Sequence, residues 1–168
     1  MEQQGELIFV PLGGGGIAAW ADRLAPLGLP EFYVFDREVP PETDVRQAVV
    51  DRVNQRDDCL AVLTRKRSVE NYLHPLALER AGGVPIEFGD FDPLADLVAK
   101  ASFEKSQPSM PWELLPRRAW RRLANRAKRW LNTRVVEQMT PELLDAADPD
   151  GEVIGWLESI RCMAGEDR

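Results

Sequence analysis

Asp36 and Glu38 stand two positions apart, directly after the apolar run Glu31-Phe32-Tyr33-Val34-Phe35. On extended backbone, residues i and i+2 point to the same side, so these two carboxylates can share one cation. Clustered carboxylates with backbone oxygens and water suit a hard ion. Mg²⁺ takes one or two carboxylates and keeps several waters. Glu70 follows a second apolar run, Cys59-Leu60-Ala61-Val62-Leu63. A glycine loop, Gly13-Gly14-Gly15-Gly16, follows Glu6-Leu7-Ile8-Phe9-Val10 and opens a helix. In an open parallel sheet such groups gather at the carboxyl ends of the strands, where ligands bind. Each has a structural alternative. Asp36 and Glu38 can be a solvated strand end. Glu70 on a first helical turn can serve the positive helix end and pair with Arg67.

A fourth group is basic. Between Arg117 and Arg134 lie Arg117, Arg118, Arg121, Arg122, Arg126, Lys128, Arg129 and Arg134, with no acidic residue among them. Outside this stripe, 13 of the 21 basic residues face all 28 acidic ones, so a net charge of −7 conceals an acidic body with a basic stripe. Trp120, Leu123, Ala127, Trp130 and Leu131 recur at helical spacing within it. One face can therefore pack while the arginines point outward. Arginine suits phosphate oxygens, and such contacts are independent of base sequence. The alternative is a solvated face that pairs with the acidic body.

These groups need a scaffold. The pattern predicts strands over 6–10, 31–35 and 59–63, and an edge strand over 84–88 limited by Pro85. Helices are expected after the glycine loop, from Thr43 to about Arg56 with Val45, Val49, Val50 and Val53 inward, from Ser68 to about Ala81, and from Asp92 to about Glu104. The expected fold is α/β, a parallel sheet of about four strands with helices on both faces and a helical C-terminal extension. The expected domains are 1–105, a proline-rich linker over 106–116, and a helical region over 117–168 carrying the stripe.

The order of segments resembles the Toprim domain of the overcoming lysogenization defect (OLD) family of ATP-dependent endonucleases. The residues are Val10-Pro11-Leu12-Gly13-Gly14, then Val34-Phe35-Asp36-Arg37-Glu38, then Arg67-Ser68-Val69-Glu70-Asn71-Tyr72-Leu73. The resemblance covers roughly residues 6–100, and the Met139-Thr140-Pro141-Glu142 segment is similar to the helical end of the same proteins. It implies a Toprim/Rossmann-like sheet and Mg²⁺- or Mn²⁺-dependent hydrolysis of DNA phosphodiesters, with cations polarising the phosphate. Carried over, Gly13 and Gly14 form the binding loop, and Asp36 and Glu38 are metal ligands. Glu70 is a ligand or orients water. A late lysine, Lys105 or Lys100, would steady developing negative charge. Arg117, Arg118, Arg121, Arg122, Arg126 and Arg129 would contact the nucleic acid.

The chain departs from the family twice. Toprim modules begin with an earlier strand ending in glutamate, and this sequence starts where their second strand should be. Their third strand ends in Asp-x-Asp, and the second aspartate of that motif is Glu38 here. A C-terminal part of a longer gene, a degraded paralogue, or a half completed by a partner would each produce this pattern. Partners implied are DNA, a separate ATPase subunit or a second copy of the chain. One alternative is a module without catalysis that binds a partner in phage defence or DNA repair. Another is a Rossmann-type dinucleotide-binding protein, because Gly13-x-Gly15-x-x-Ala18 precedes Asp36 at about the ribose-binding spacing. Cys59 and Cys162 are single and far apart, so no zinc site is expected. No secretory signal or apolar span is visible, and a cytoplasmic location is expected.

Overall fold

The computed structural model describes residues 7–11 and 16–165. It is α/β, and the chain divides into two compact units. The first holds residues up to Arg65 together with those from Gly151 onward. The second runs from Lys66 to Asp150.

In the first unit, strands β1 (Glu31–Phe35) and β2 (Cys59–Leu63) pair in parallel, with Glu31 opposite Cys59 and Phe35 opposite Leu63. Both strands have the expected bounds. Short apolar runs closed by turn residues leave little other choice. The connection between them is helix α2 (Glu42–Val53), as a parallel pair requires. Helix α1 (Ile17–Ala21) lies against α2. Tyr33 and Phe35 on one face of β1, with Ala61, meet Ala21, Val49, Val50 and Val53 in one core. Asn54 borders the outer edge of β2, where its side chain both accepts from the Ala61 N–H (2.7 Å) and donates to the Ala61 carbonyl (3.1 Å). Helix α7 (Glu152–Met163) completes the unit.

Two segments differ from expectation. Among the described residues the sheet has two strands; residues 7–10 and 84–88 are in none. Ile8 and Phe9 are well exposed, which a buried strand would not allow. An apolar run becomes a strand only when a neighbour completes its hydrogen bonds. Val45, expected to face inward from α2, is exposed. The buried side of α2 instead passes through Arg46, half-buried and one helical turn from Val49 and Val50.

The second unit is helical. The helix expected over 68–81 is interrupted. A 3₁₀ turn covers Val69–Tyr72, and helix α3 runs over Pro75–Arg80. Proline disfavours helical backbone in the residue before it, and His74 is extended (φ −89°, ψ 138°). Its Nδ1 accepts the Leu76 N–H at 3.1 Å, so His74 caps α3. Helices α4 (Leu94–Lys105) and α5 (Arg117–Trp130) pack on each other, and residues 106–116 join them through a 3₁₀ turn at Trp112–Leu114. Beyond α5, a π-helical turn (Leu131–Val135) and a short 3₁₀ turn lead to helix α6 (Pro141–Ala147). The core gathers Leu73, Ala77, Leu78, Leu94, Val98 and Leu131.

Candidate nucleic-acid interface and carboxylate sites

The carboxyl ends of β1 and β2 are tied together by Thr64. Its N–H donates to the Phe35 carbonyl at 2.9 Å, and its hydroxyl accepts from the Arg37 N–H at 2.8 Å. The Arg37 guanidinium donates to the Thr64 carbonyl, also at 2.8 Å. Asp36 and Glu38 lie at this edge, both half-buried. Strand alternation does not align them, because β1 ends at Phe35 and Glu38 adopts left-handed backbone (φ 56°). That conformation costs a non-glycine residue on the order of 1–3 kcal/mol. Arg46 reaches both residues. Its Nη1 donates to the Asp36 carbonyl at 2.6 Å and its Nη2 stands 3.7 Å from Glu38 Oε1.

This donor set suits a hard cation by type, since it offers two carboxylates at a strand end. The Arg46 guanidinium already supplies positive charge there, so a divalent ion on Glu38 would have to displace it. Among the described residues no group of three metal-ligating side chains gathers. Gly13 and Gly14 lie outside the described residues.

Glu70 lies in the second unit and is only 3% exposed. Its Oε1 accepts from Asn132 Nδ2 at 2.9 Å and faces Lys128 Nζ at 3.1 Å. Burial alone would push its carboxyl up. The Lys128 ammonium and hydrogen bonds from Asn132 and Ser68 outweigh this and hold it below the usual carboxylate range. The alternative pairing with Arg67 is replaced by these contacts. Asn71, also buried, donates to the carbonyls of Gly89 (3.0 Å) and Asp92 (3.1 Å). The Lys66 ammonium lies over the Tyr72 ring at 5.3 Å, and Leu73 enters the core. Every side chain of Glu-Asn-Tyr-Leu is thus engaged within the unit. A cation ligand needs free lone pairs facing an open site, and the surroundings of Glu70 do not fit one.

Lys105 ends α4 and is exposed. Arg117, Arg118, Arg121, Arg122, Arg126 and Arg129 are all exposed on α5, which contains no acidic residue. Arg118, Arg121, Arg122, Arg126 and Arg129 border one shallow groove with Asn125. The opposite side of α5 packs Leu123, Ala127 and Trp130 against the core. Lys128 departs from the outward stripe by turning to Glu70. Asn132 carried no signal in the sequence because its partner, Glu70, is 62 residues away. Arg46 carried none because only the fold of the turn before α2 brings Asp36 and Glu38 back to it.

No family model matches the chain, no curated protein matches its sequence, and no solved structure matches its fold. No helix among the described residues is long and apolar enough to cross a membrane.

Proposed function

We propose that this chain is a Toprim-like DNA-handling module that holds the phosphodiester backbone on the arginine face of α5. The observation that carries the reading is that face: six exposed arginines on one helix that itself contains no acidic residue. Such a surface releases counterions when it meets a polyanion, and its binding falls steeply with salt. In the full reading the module belongs to a Mg²⁺- or Mn²⁺-dependent endonuclease. Asp36 and Glu38 would hold the cation, which supplies Lewis-acid polarisation of a phosphate when bound. The finer fold expectation, about four strands, goes with this reading. The outer edge of β1 is where another strand would join, since Asn54 borders β2.

The engagement of Glu70 by Lys128 and Asn132 favours a second reading, a DNA- or partner-binding module without catalysis. One experiment separates them. DNA is incubated with the protein in Mg²⁺ or Mn²⁺, and cation binding is followed by calorimetry. The nuclease reading expects cleavage that Asp36→Ala abolishes without weakening DNA binding. Salt-sensitive DNA binding with neither cleavage nor cation uptake would leave the non-catalytic module. Absence of DNA binding would remove both DNA readings.

A further inference from the structure

Arg126 borders two concavities. One is the arginine groove along α5. The other is an open-sided pocket of about 440 Å³ between α4 and α5, bordered also by Gly82 and Gly83. Val98, Phe103, Leu123 and Trp130 form its apolar walls; Ser102 offers a hydroxyl, and Ser106, whose hydroxyl donates to the Phe103 carbonyl at 2.6 Å, offers an acceptor. Its volume lies in the range of sites for small organic groups, roughly 300–1,000 Å³. The walls are held in place. Phe103 meets Trp112 edge-on, with ring centroids 5.6 Å apart, and α4 buries Val98 in the core. A Cβ at Gly83 would lie 2.7 Å from the tip of Trp130 and 2.8 Å from the Leu78 carbonyl oxygen, so glycine is what lets this turn close on the indole.

We propose that this pocket receives an unstacked base of single-stranded DNA whose phosphates lie along the arginine groove. The proposal rests on the reading of α5 as a backbone contact and adds the strand state of the ligand. An apolar pocket with aromatic walls suits the face of a base, and hydroxyls suit its polar edge. Arg126, shared by both concavities, provides a cation where the phosphate next to that base must lie. Single strands are bound by this combination of a cationic track and aromatic surfaces. A duplex presents the same phosphates but keeps its bases stacked, and removing one costs free energy.

The test is fluorescence anisotropy with three labelled probes: oligothymidylate, an abasic strand of equal length and charge, and a duplex. Oligothymidylate should bind about tenfold more tightly than the abasic strand. Ser102→Leu fills the pocket from an exposed helical position. It should remove that preference while leaving abasic-strand affinity, salt slope and melting temperature unchanged. Arg122→Ala should weaken all three probes and lower the salt slope by about one. Equal affinity for the thymidylate and abasic strands, with the arginine dependence intact, would overturn the pocket proposal alone. Tighter binding of the duplex than of the single strand would do the same. Failure of every probe to bind would overturn the reading of α5 as well.

Discussion

Lys128 Nζ lies 3.1 Å from Oε1 of Glu70, so one residue of the basic stripe is committed to a buried carboxylate. Arg118, Arg122, Arg126 and Arg129 follow one helical row, spaced by four, four and three residues, and Lys128 falls off it. With Asn132, this contact fixes α5 and the turn after it against the 3₁₀ turn that carries Glu70. The arginine face is thereby held by the segment whose resemblance to a nuclease motif suggested catalysis.

Truncating Glu70 removes a buried acceptor of the Lys128 ammonium and leaves the Asn132 amide without the carboxylate it donates to. Glu70→Ala should cost about 2–3 kcal/mol in urea unfolding, below the range for fully buried pairs because Lys128 is half-exposed. Glu70→Gln keeps the shape and should cost less. The pH sign follows from a folded carboxyl held low. Its stabilisation is present above the unfolded value of about 4.3 and disappears as pH falls through the folded value. Unfolding curves of Glu70→Gln should therefore show a flatter acid limb than wild type. An identical acid limb in both proteins would assign acid sensitivity to other groups.

Tyr33 controls the alkaline side. Its hydroxyl carries one proton and has two acceptors in reach, the Ala21 carbonyl at 2.9 Å and the carboxylate of Glu31, which also pairs with Arg56 at 2.8 Å. Burial, with the bond to Glu31, pushes its phenol up to about 12. The folded state keeps a proton that the unfolded chain releases near pH ~10. Stability should be level below pH ~10 and fall between ~10 and ~12. Melting temperatures across this range should show the fall in wild type and a shallower one in Tyr33→Phe.

Thr43 lies within the first turn of α2 rather than at its cap, and its Oγ1 is buried without a hydrogen-bond partner. An unsatisfied buried hydroxyl costs on the order of 1–3 kcal/mol. Thr43→Val has nearly the same shape and removes that group. It should stabilise the protein by about 1 kcal/mol in denaturant titration. A neutral or destabilising result would mean that the hydroxyl finds a partner in water.

The parts legible in the sequence are those set by local pattern. Glu31–Phe35 and Cys59–Leu63 are apolar runs between turn residues, and both are strands at those bounds. The arginine face of α5 follows from helical spacing alone. The break at His74 was also available, because Pro75 dictates the backbone before it. Residues 7–10 have a strand's composition without a strand's hydrogen bonds among the described residues, since composition cannot provide the neighbour that completes a ladder.

The carboxylates show the other limit. Sequence placed Asp36 and Glu38 at the end of β1 and Glu70 after β2, where ion chemistry is conventional. Tertiary structure decided what each one faces. Arg46, reached through the buried face of α2, stands at Glu38, and Lys128 and Asn132 surround Glu70. A carboxylate's role depends on its solvation and on the charges within a few ångströms, and which charges come that close is decided by the folded path of the chain. Residue type and spacing thus determined the strands and the arginine face, while packing decided which charges remained available to a ligand.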